Sequence, residues 1–168
     1  LATEIFDGLR EVHGLPDGDR DLLEYAALLH DIGEHVAHEG HEKHAAYLVS
    51  HGGLRGFDQD ELAMVIAIVR WHRRGEVRPD PRHAPLADDA IARCRILTAI
   101  LRVADGLDRS RHQNITGLAV SVTPTLALLR LDTVADPELE VWGARRKRTL
   151  LEACLGREVE FTAHPSGR

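Results

Sequence analysis

Apolar residues recur every three or four positions through the first two thirds of the chain, which is the spacing of amphipathic helices. Turn-forming residues interrupt this pattern four times, so the sequence predicts five helices. They cover approximately residues 1–13, 19–32, 41–51, 58–72 and 88–109. Asp19 is expected to cap the second helix, and Gly33 is expected to end it in a left-handed turn.

The hydrophobic period changes after residue 112. Residues 115–122 alternate as a strand does, and residues 126–131 follow a Thr-Pro turn as a second strand. Asp136-Pro137 predicts the start of a sixth helix that runs to Leu155, and residues 158–161 form a short third strand. The expected fold class is therefore mainly α with a small α+β lobe. Residues 1–112 would form a helical domain, and residues 113–168 a β-β-α-β lobe.

The composition is that of an ordinary soluble domain, with 43% hydrophobic and 29% charged residues. No apolar run approaches the roughly 20 residues that a membrane-spanning helix needs. No secretory signal is visible, and the two cysteines form no CxxC motif, so a reducing cytoplasm is the expected compartment. The chain is acidic and carries no nucleic-acid recognition motif, which argues against DNA binding.

The net charge of −6 conceals a gradient along the chain. Residues 1–69 carry a net charge of −10, residues 70–112 carry +4, and the remainder is neutral. The basic block contains ten arginines. It either faces a polyanion or forms a solvated arginine-rich surface.

Four ligand-type side chains stand where the helical period predicts core. They are His30, His44, His72 and Asp105, each on a different helix, and Asp31 follows the first of them. A buried carboxylate is costly unless it is paired or binds a cation. Imidazole and carboxylate together suit Zn, Fe, Mn or Co, so these residues predict a metal site inside a helical bundle. The alternative for the His30-Asp31 pair is a core histidine beside an exposed aspartate.

Several arginines flank the candidate ligands and would bind phosphate oxygens. Arg73 and Arg74 follow His72, whereas Arg102 and Arg109 lie one turn before and after Asp105. Each could equally be a solvated charge. Eleven histidines against seven aromatic residues favour metal chemistry slightly. His35, His38 and His41 are expected at the surface of a turn, and the alternative is a position next to the metal ligands.

Two motifs carry a resemblance to a known family. Leu-Leu-His-Asp-Ile-Gly at residues 28–33 and Leu-Arg-Val-Ala-Asp-Gly-Leu-Asp at residues 101–108 resemble the HD superfamily of metal-dependent phosphohydrolases. More narrowly, the chain resembles the C-terminal half of the exopolyphosphatase / guanosine pentaphosphate phosphohydrolase family. Residues 38–48 and Val-Arg-Trp-His-Arg-Arg at 69–74 extend the match.

The resemblance implies an HD-type helical bundle with a catalytic metal site at His30, Asp31 and Asp105. His44 and His72 would complete that site or hold a second ion. The ion would be Mn, Fe, Zn, Co or Mg, and a metal-bound water would attack polyphosphate or guanosine pentaphosphate.

The same resemblance implies an N-terminal actin-like catalytic module, which these 168 residues do not contain, and a homodimer. A first histidine ligand is expected upstream of Leu1. Three functions remain open: a metal-dependent phosphohydrolase, a non-catalytic domain for polyphosphate binding and dimerisation, and a nucleotide-sensing HD module.

Overall fold

A computed structural model describes residues 1–80 and 84–165 of the chain. The described residues form eight α-helices, one 3-10 helix and three β-strands. The helices are α1 (Ala2–Gly8), α2 (Arg10–His13), α3 (Asp17–Leu29), α4 (His41–His51), α5 (Gln59–Trp71), α6 (Asp88–Leu107), α7 (Glu138–Lys147) and α8 (Thr149–Leu155), and the 3-10 helix is Ile32–His35. The strands are β1 (Ile115–Val122), β2 (Leu126–Thr133) and β3 (Glu158–Pro165). This architecture confirms the predicted fold class, mainly α with a small α+β lobe.

The chain divides into two compact units. One unit comprises residues 16–98, and the other comprises residues 1–15 together with residues 99–168. The predicted domains, residues 1–112 and 113–168, stay a prediction.

Helix α5 is the central helix of the unit formed by residues 16–98. Every residue from Ala63 to Val69 is buried, because α3 and α4 both pack against this helix. Its first turn carries a capping box in which the Asp58 carboxylate accepts from the Glu61 amide and Glu61 accepts from the Asp58 amide. The fixed start and buried length of α5 hold its last residues, and hence His72, in the interior.

The other unit is built on a three-stranded sheet with the order β1-β2-β3. The hairpin of β1 and β2 is antiparallel, whereas β3 returns through α7 and α8 to pair parallel to β2. The central strand buries alternate residues at Ala127, Leu129 and Leu131. Helix α1 packs on β1, where Gly8 lies against Val120 with no room for a Cβ.

The predicted roles of Asp19 and Gly33 are wrong. Pro16 precedes α3, and Asp19 is 1% exposed and ion-paired with Arg93 rather than capping the helix. The helix ends at Leu29, so Gly33 lies within the following 3-10 helix. A Cβ at Gly33 would overlap the backbone at the start of α4. Glycine is needed there for close packing, not for a left-handed turn.

Other differences concern the ends of elements. The predicted first helix is interrupted at Leu9, and the predicted sixth helix is interrupted at Arg148. The third strand extends through Pro165, beyond its predicted end at residue 161, and includes His164. Residues 81–83, expected in a loop with an incidental His83, lie outside the described residues, as do 166–168. Within the described ranges, every helix is too short or too polar to cross a membrane.

Candidate metal centre

Three of the predicted ligands come together where helices end. His30 follows the last turn of α3, Asp31 precedes the 3-10 helix, and His72 follows the last turn of α5. Their ligand atoms all lie within 4.8 Å of one another. The Asp31 carboxylate is central, since one oxygen lies 3.5 Å from His30 Nε2 and the other lies 3.8 Å from His72 Nε2.

His41 lies at the same place, although the sequence analysis expected it at the surface of a turn. That expectation is wrong, because His41 is 5% exposed. Its Nε2 atom lies 3.2 Å from His72 Nε2 and 3.3 Å from Asp31 Oδ1. The sequence signal for it was the spacing of His41, Ala45 and Val49, which form the buried stripe of α4.

Backbone contacts orient all three imidazoles in the same way. The Nδ1 atoms of His30, His41 and His72 lie 2.7, 3.0 and 2.7 Å from the carbonyl oxygens of the residues three positions earlier. A carbonyl only accepts, so each Nδ1 carries the proton and donates it. In the neutral imidazole, Nε2 is then the nitrogen with a lone pair. This is the anchoring that metal-binding histidines ordinarily show.

The cluster has the chemistry and the spacing of a divalent metal site. Ligand atoms held at about 2.1 Å from one ion lie about 3 Å apart. The separations among Nε2 of His41, Nε2 of His72 and the Asp31 oxygen run from 3.2 to 3.8 Å. Without an ion between them, the Nε2 lone pairs of the two neutral imidazoles would face and repel each other. The residues present therefore fit a divalent ion with nitrogen and oxygen ligands.

A second potential ligand group contains His41, which contacts His72 and Asp31 of the first group. It consists of Glu34, His38 and His41, and Glu34 Oε1 lies 3.3 Å from His38 Nδ1. The His38 side chain is 84% exposed, so this group leads from the buried cluster to the surface. The histidines of the turn after residue 33 are thus not equivalent, since burial distinguishes His41 from His38.

The remaining predicted residues of this unit occupy different surroundings. His44 is half-buried on α4 and belongs to neither potential ligand group found among the described residues, so its ligand role stays a prediction. Arg73 lies 3.4 Å from the Glu42 carboxylate, and Arg74 is exposed. Burial alone would raise the pKa of Glu42. The backbone hydrogen bond at that residue and the charge of Arg73 outweigh burial and lower the pKa below its ordinary value.

Asp105, Arg102 and Arg109 lie in the other unit. Asp105 on α6 forms an ion pair with Lys147 on α7. Arg102 is 8% exposed, and burial lowers the pKa of its guanidinium, whereas Arg109 is exposed. The predicted metal and phosphate roles of these three residues stay predictions.

The fold and the donor set define a mainly helical protein with a candidate metal centre of imidazole and carboxylate ligands. The family model for Ppx/GppA phosphatase, domain III, matches residues 1–151. The chain therefore belongs to the domain III family of the Ppx/GppA phosphatases.

Similar proteins include three that are named guanosine-5'-triphosphate,3'-diphosphate pyrophosphatase. The protein from Pseudoalteromonas translucida is 32% identical over 44% of this chain, and that from Pseudoalteromonas atlantica is 30% identical over 68%. The protein from Aeromonas hydrophila is 32% identical over 60%. The matched regions span 14, 23 and 21% of those relatives, respectively.

Proposed function

We propose that His30, Asp31, His41 and His72 bind a divalent metal ion and that this domain is an HD-type phosphohydrolase acting on phosphoanhydride bonds. The observation that carries the proposal is the convergence of three Nδ1-anchored imidazoles on one carboxylate. Four such ligands leave two positions of an octahedral ion for water and substrate, unlike the closed tetrahedral thiolate sites of structural zinc.

Each protein group has a defined task in this proposal. The imidazole Nε2 atoms hold the ion, and Asp31 offsets part of its charge. When bound, a divalent ion would act as a Lewis acid and lower the pKa of a coordinated water. Arg73 and Arg74 would bind phosphate oxygens beside His72. Arg73 is partly exposed and has five N–H donors, so it can bind phosphate while it keeps its contact with Glu42.

The substrate class follows from the relatives. Their names describe pyrophosphatases of guanosine-5'-triphosphate,3'-diphosphate. We propose guanosine pentaphosphate or polyphosphate as the substrate of this chain, with Mn, Fe, Zn, Co or Mg as the ion. We also propose that the full protein has an N-terminal actin-like module, forms a homodimer and is located in the cytoplasm.

Metal analysis tests the proposal directly. The protein would be purified without chelator beside Asp31→Ala, with Asp21→Ala as control because Asp21 is an exposed carboxylate on α3. We expect about one equivalent of metal or more in the wild type and the control. Asp31→Ala should lose both the metal and the hydrolysis of guanosine pentaphosphate. A wild-type protein that takes up no ion after reconstitution would refute the proposal.

A second candidate is an accessory domain that binds polyphosphate without hydrolysing it. The Asp105–Lys147 ion pair favours this alternative, since Lys147 already supplies Asp105 with a cation. Binding would then rest on the basic block of residues 70–112. Polyphosphate binding that weakens with salt, persists in chelator and is unchanged in Asp31→Ala would support this alternative.

A further inference from the structure

A cavity of about 250 Å³ lies between α4 and α5, and no member of the metal-ligand cluster lines it. Its floor is apolar and is formed mainly by Ala46, Ile66 and Ala67. Two aromatic side chains, Tyr47 and Trp71, line it as well. A cavity lined by aromatic side chains suits a flat ring.

The Trp71 side chain is held in a fixed position. Its indole N–H donates to the carbonyl oxygen of Arg78 at 3.0 Å. The guanidinium of Arg70 lies over the indole ring, 4.5 Å from its centre. The hydrogen bond to Arg78 therefore fixes the tryptophan, and the Arg70 cation covers one face of its ring.

Among the described residues, three cations line the cavity, although the surrounding sequence is acidic. Lys43, Arg70 and Arg78 contribute positive charge, and Asp80 is the one carboxylate among the described lining residues. Residues 1–69, which include all of α4, carry a net charge of −10. Arg78 also pairs with Glu76 at 2.9 Å, but both side chains are largely exposed, so this pair exchanges easily. A local excess of positive charge here favours an anionic ligand.

We propose that this cavity binds a nucleoside phosphate, with the base packed against Tyr47 and Trp71 and the phosphates beside Lys43 and Arg70. A polyphosphate chain would use the cations but neither the apolar floor nor the indole. An uncharged aromatic compound would fit the apolar lining but would form no ion pair with the cations. The cavity is smaller than the roughly 300–1,000 Å³ of sites that enclose whole ligands, so it accommodates the ring and leaves the phosphates at the rim.

Tryptophan fluorescence provides a local readout, because the chain contains two tryptophans, Trp71 and Trp142. The full chain carrying Trp142→Phe would be titrated with ATP, GTP and inorganic tripolyphosphate in the presence of EDTA. We expect saturable quenching of Trp71 by at least one nucleotide. Tripolyphosphate should bind at least about tenfold more weakly, because it cannot stack.

Equilibrium dialysis with the same nucleotide would then compare Arg70→Met with Arg95→Met, an exposed arginine on α6. We expect Arg70→Met to weaken binding about tenfold through loss of a charge-assisted contact, and Arg95→Met to leave it unchanged. The dialysis is run in EDTA, which removes metal-dependent binding, so this proposal stands or falls independently of the metal centre. Absence of saturation at millimolar nucleotide, or equal affinity for tripolyphosphate, would overturn it.

Discussion

The Nε2 atoms of His41 and His72 lie 3.2 Å apart. The Nδ1–H group of each residue donates to a backbone carbonyl. The two residues are 31 positions apart in sequence and come from the start of α4 and the end of α5. Their facing nitrogens form one edge of the candidate metal centre, and Asp31 closes it.

Replacing His41 should weaken metal binding even though His30, Asp31 and His72 remain. We expect His41→Gln to lower the affinity for Mn or Zn at least about tenfold, because one nitrogen ligand is lost. Competition with a chromophoric chelator would measure this affinity. His51→Gln is the matched control, since His51 is an exposed histidine at the other end of α4. Equal affinities in the two variants would remove His41 from the site.

Gly33→Ala should destabilise the unit formed by residues 16–98. The added Cβ would overlap the His41 carbonyl oxygen and lie 2.5 Å from the Ala45 nitrogen, and backbone cannot move aside cheaply. We expect a loss of about 1–3 kcal/mol in the free energy of unfolding, measured by urea titration. Gly18→Ala is the control, because Gly18 is helical and has open space around it. A neutral Gly33→Ala would contradict the close approach.

Removing the partner of Asp19 should also destabilise the protein. The Asp19 carboxylate is buried, and Arg93 is its ion-pair partner, whose pKa is raised by the hydrogen bond to Asp19. We expect Arg93→Met to cost about 1–3 kcal/mol, less than for fully enclosed pairs because Arg93 is partly exposed. The double variant Asp19→Asn/Arg93→Met should recover part of this loss in thermal unfolding. A double variant less stable than Arg93→Met would contradict the interpretation.

The Glu160–Arg148 pair should contribute to the acid sensitivity of the protein. The hydrogen bond from Arg148, at 2.7 Å, lowers the pKa of Glu160 below its ordinary value of 4.5. A carboxyl with a lowered folded pKa stabilises the fold above its unfolded pKa. That contribution disappears as the pH falls through the folded value. Stability should therefore decline as the solution is acidified below about pH 4.5.

Glu160→Gln tests this dependence, because it keeps the shape of the side chain and removes the titration. The urea midpoint of the variant should fall less between pH about 6 and about 3 than that of the wild type. Glu138→Gln, at an exposed position on α7, is the control. Identical slopes for wild type and Glu160→Gln would show that this pair does not contribute.

Much of the fold was readable in the sequence because hydrophobic period and turn residues are local signals. The starts of α4, α6 and β1 and the ends of α4 and α8 agree with the predicted positions. The breaks at Leu9 and Arg148 were missed. Gly8 directly precedes the first break, but a single glycine inside a helical pattern is a weak signal, and no glycine or proline adjoins the second. In the candidate site, His30, Asp31 and His72 were predicted and are brought together.

The sequence by itself determined the order of the longer helices and of the three strands, and it placed a histidine and an aspartate near the end of α3. Only the tertiary structure decided that His41, rather than His44, lies in the cluster. Positions three apart on a helix differ in direction by about 60°, so both fall within one broad apolar stripe. The 3-10 helix packs on α4 so closely that Gly33 is required, and this packing places His41 rather than His44 in the cluster. The pairing of Asp19 with Arg93 was equally undetermined, because no local pattern relates residues 74 positions apart.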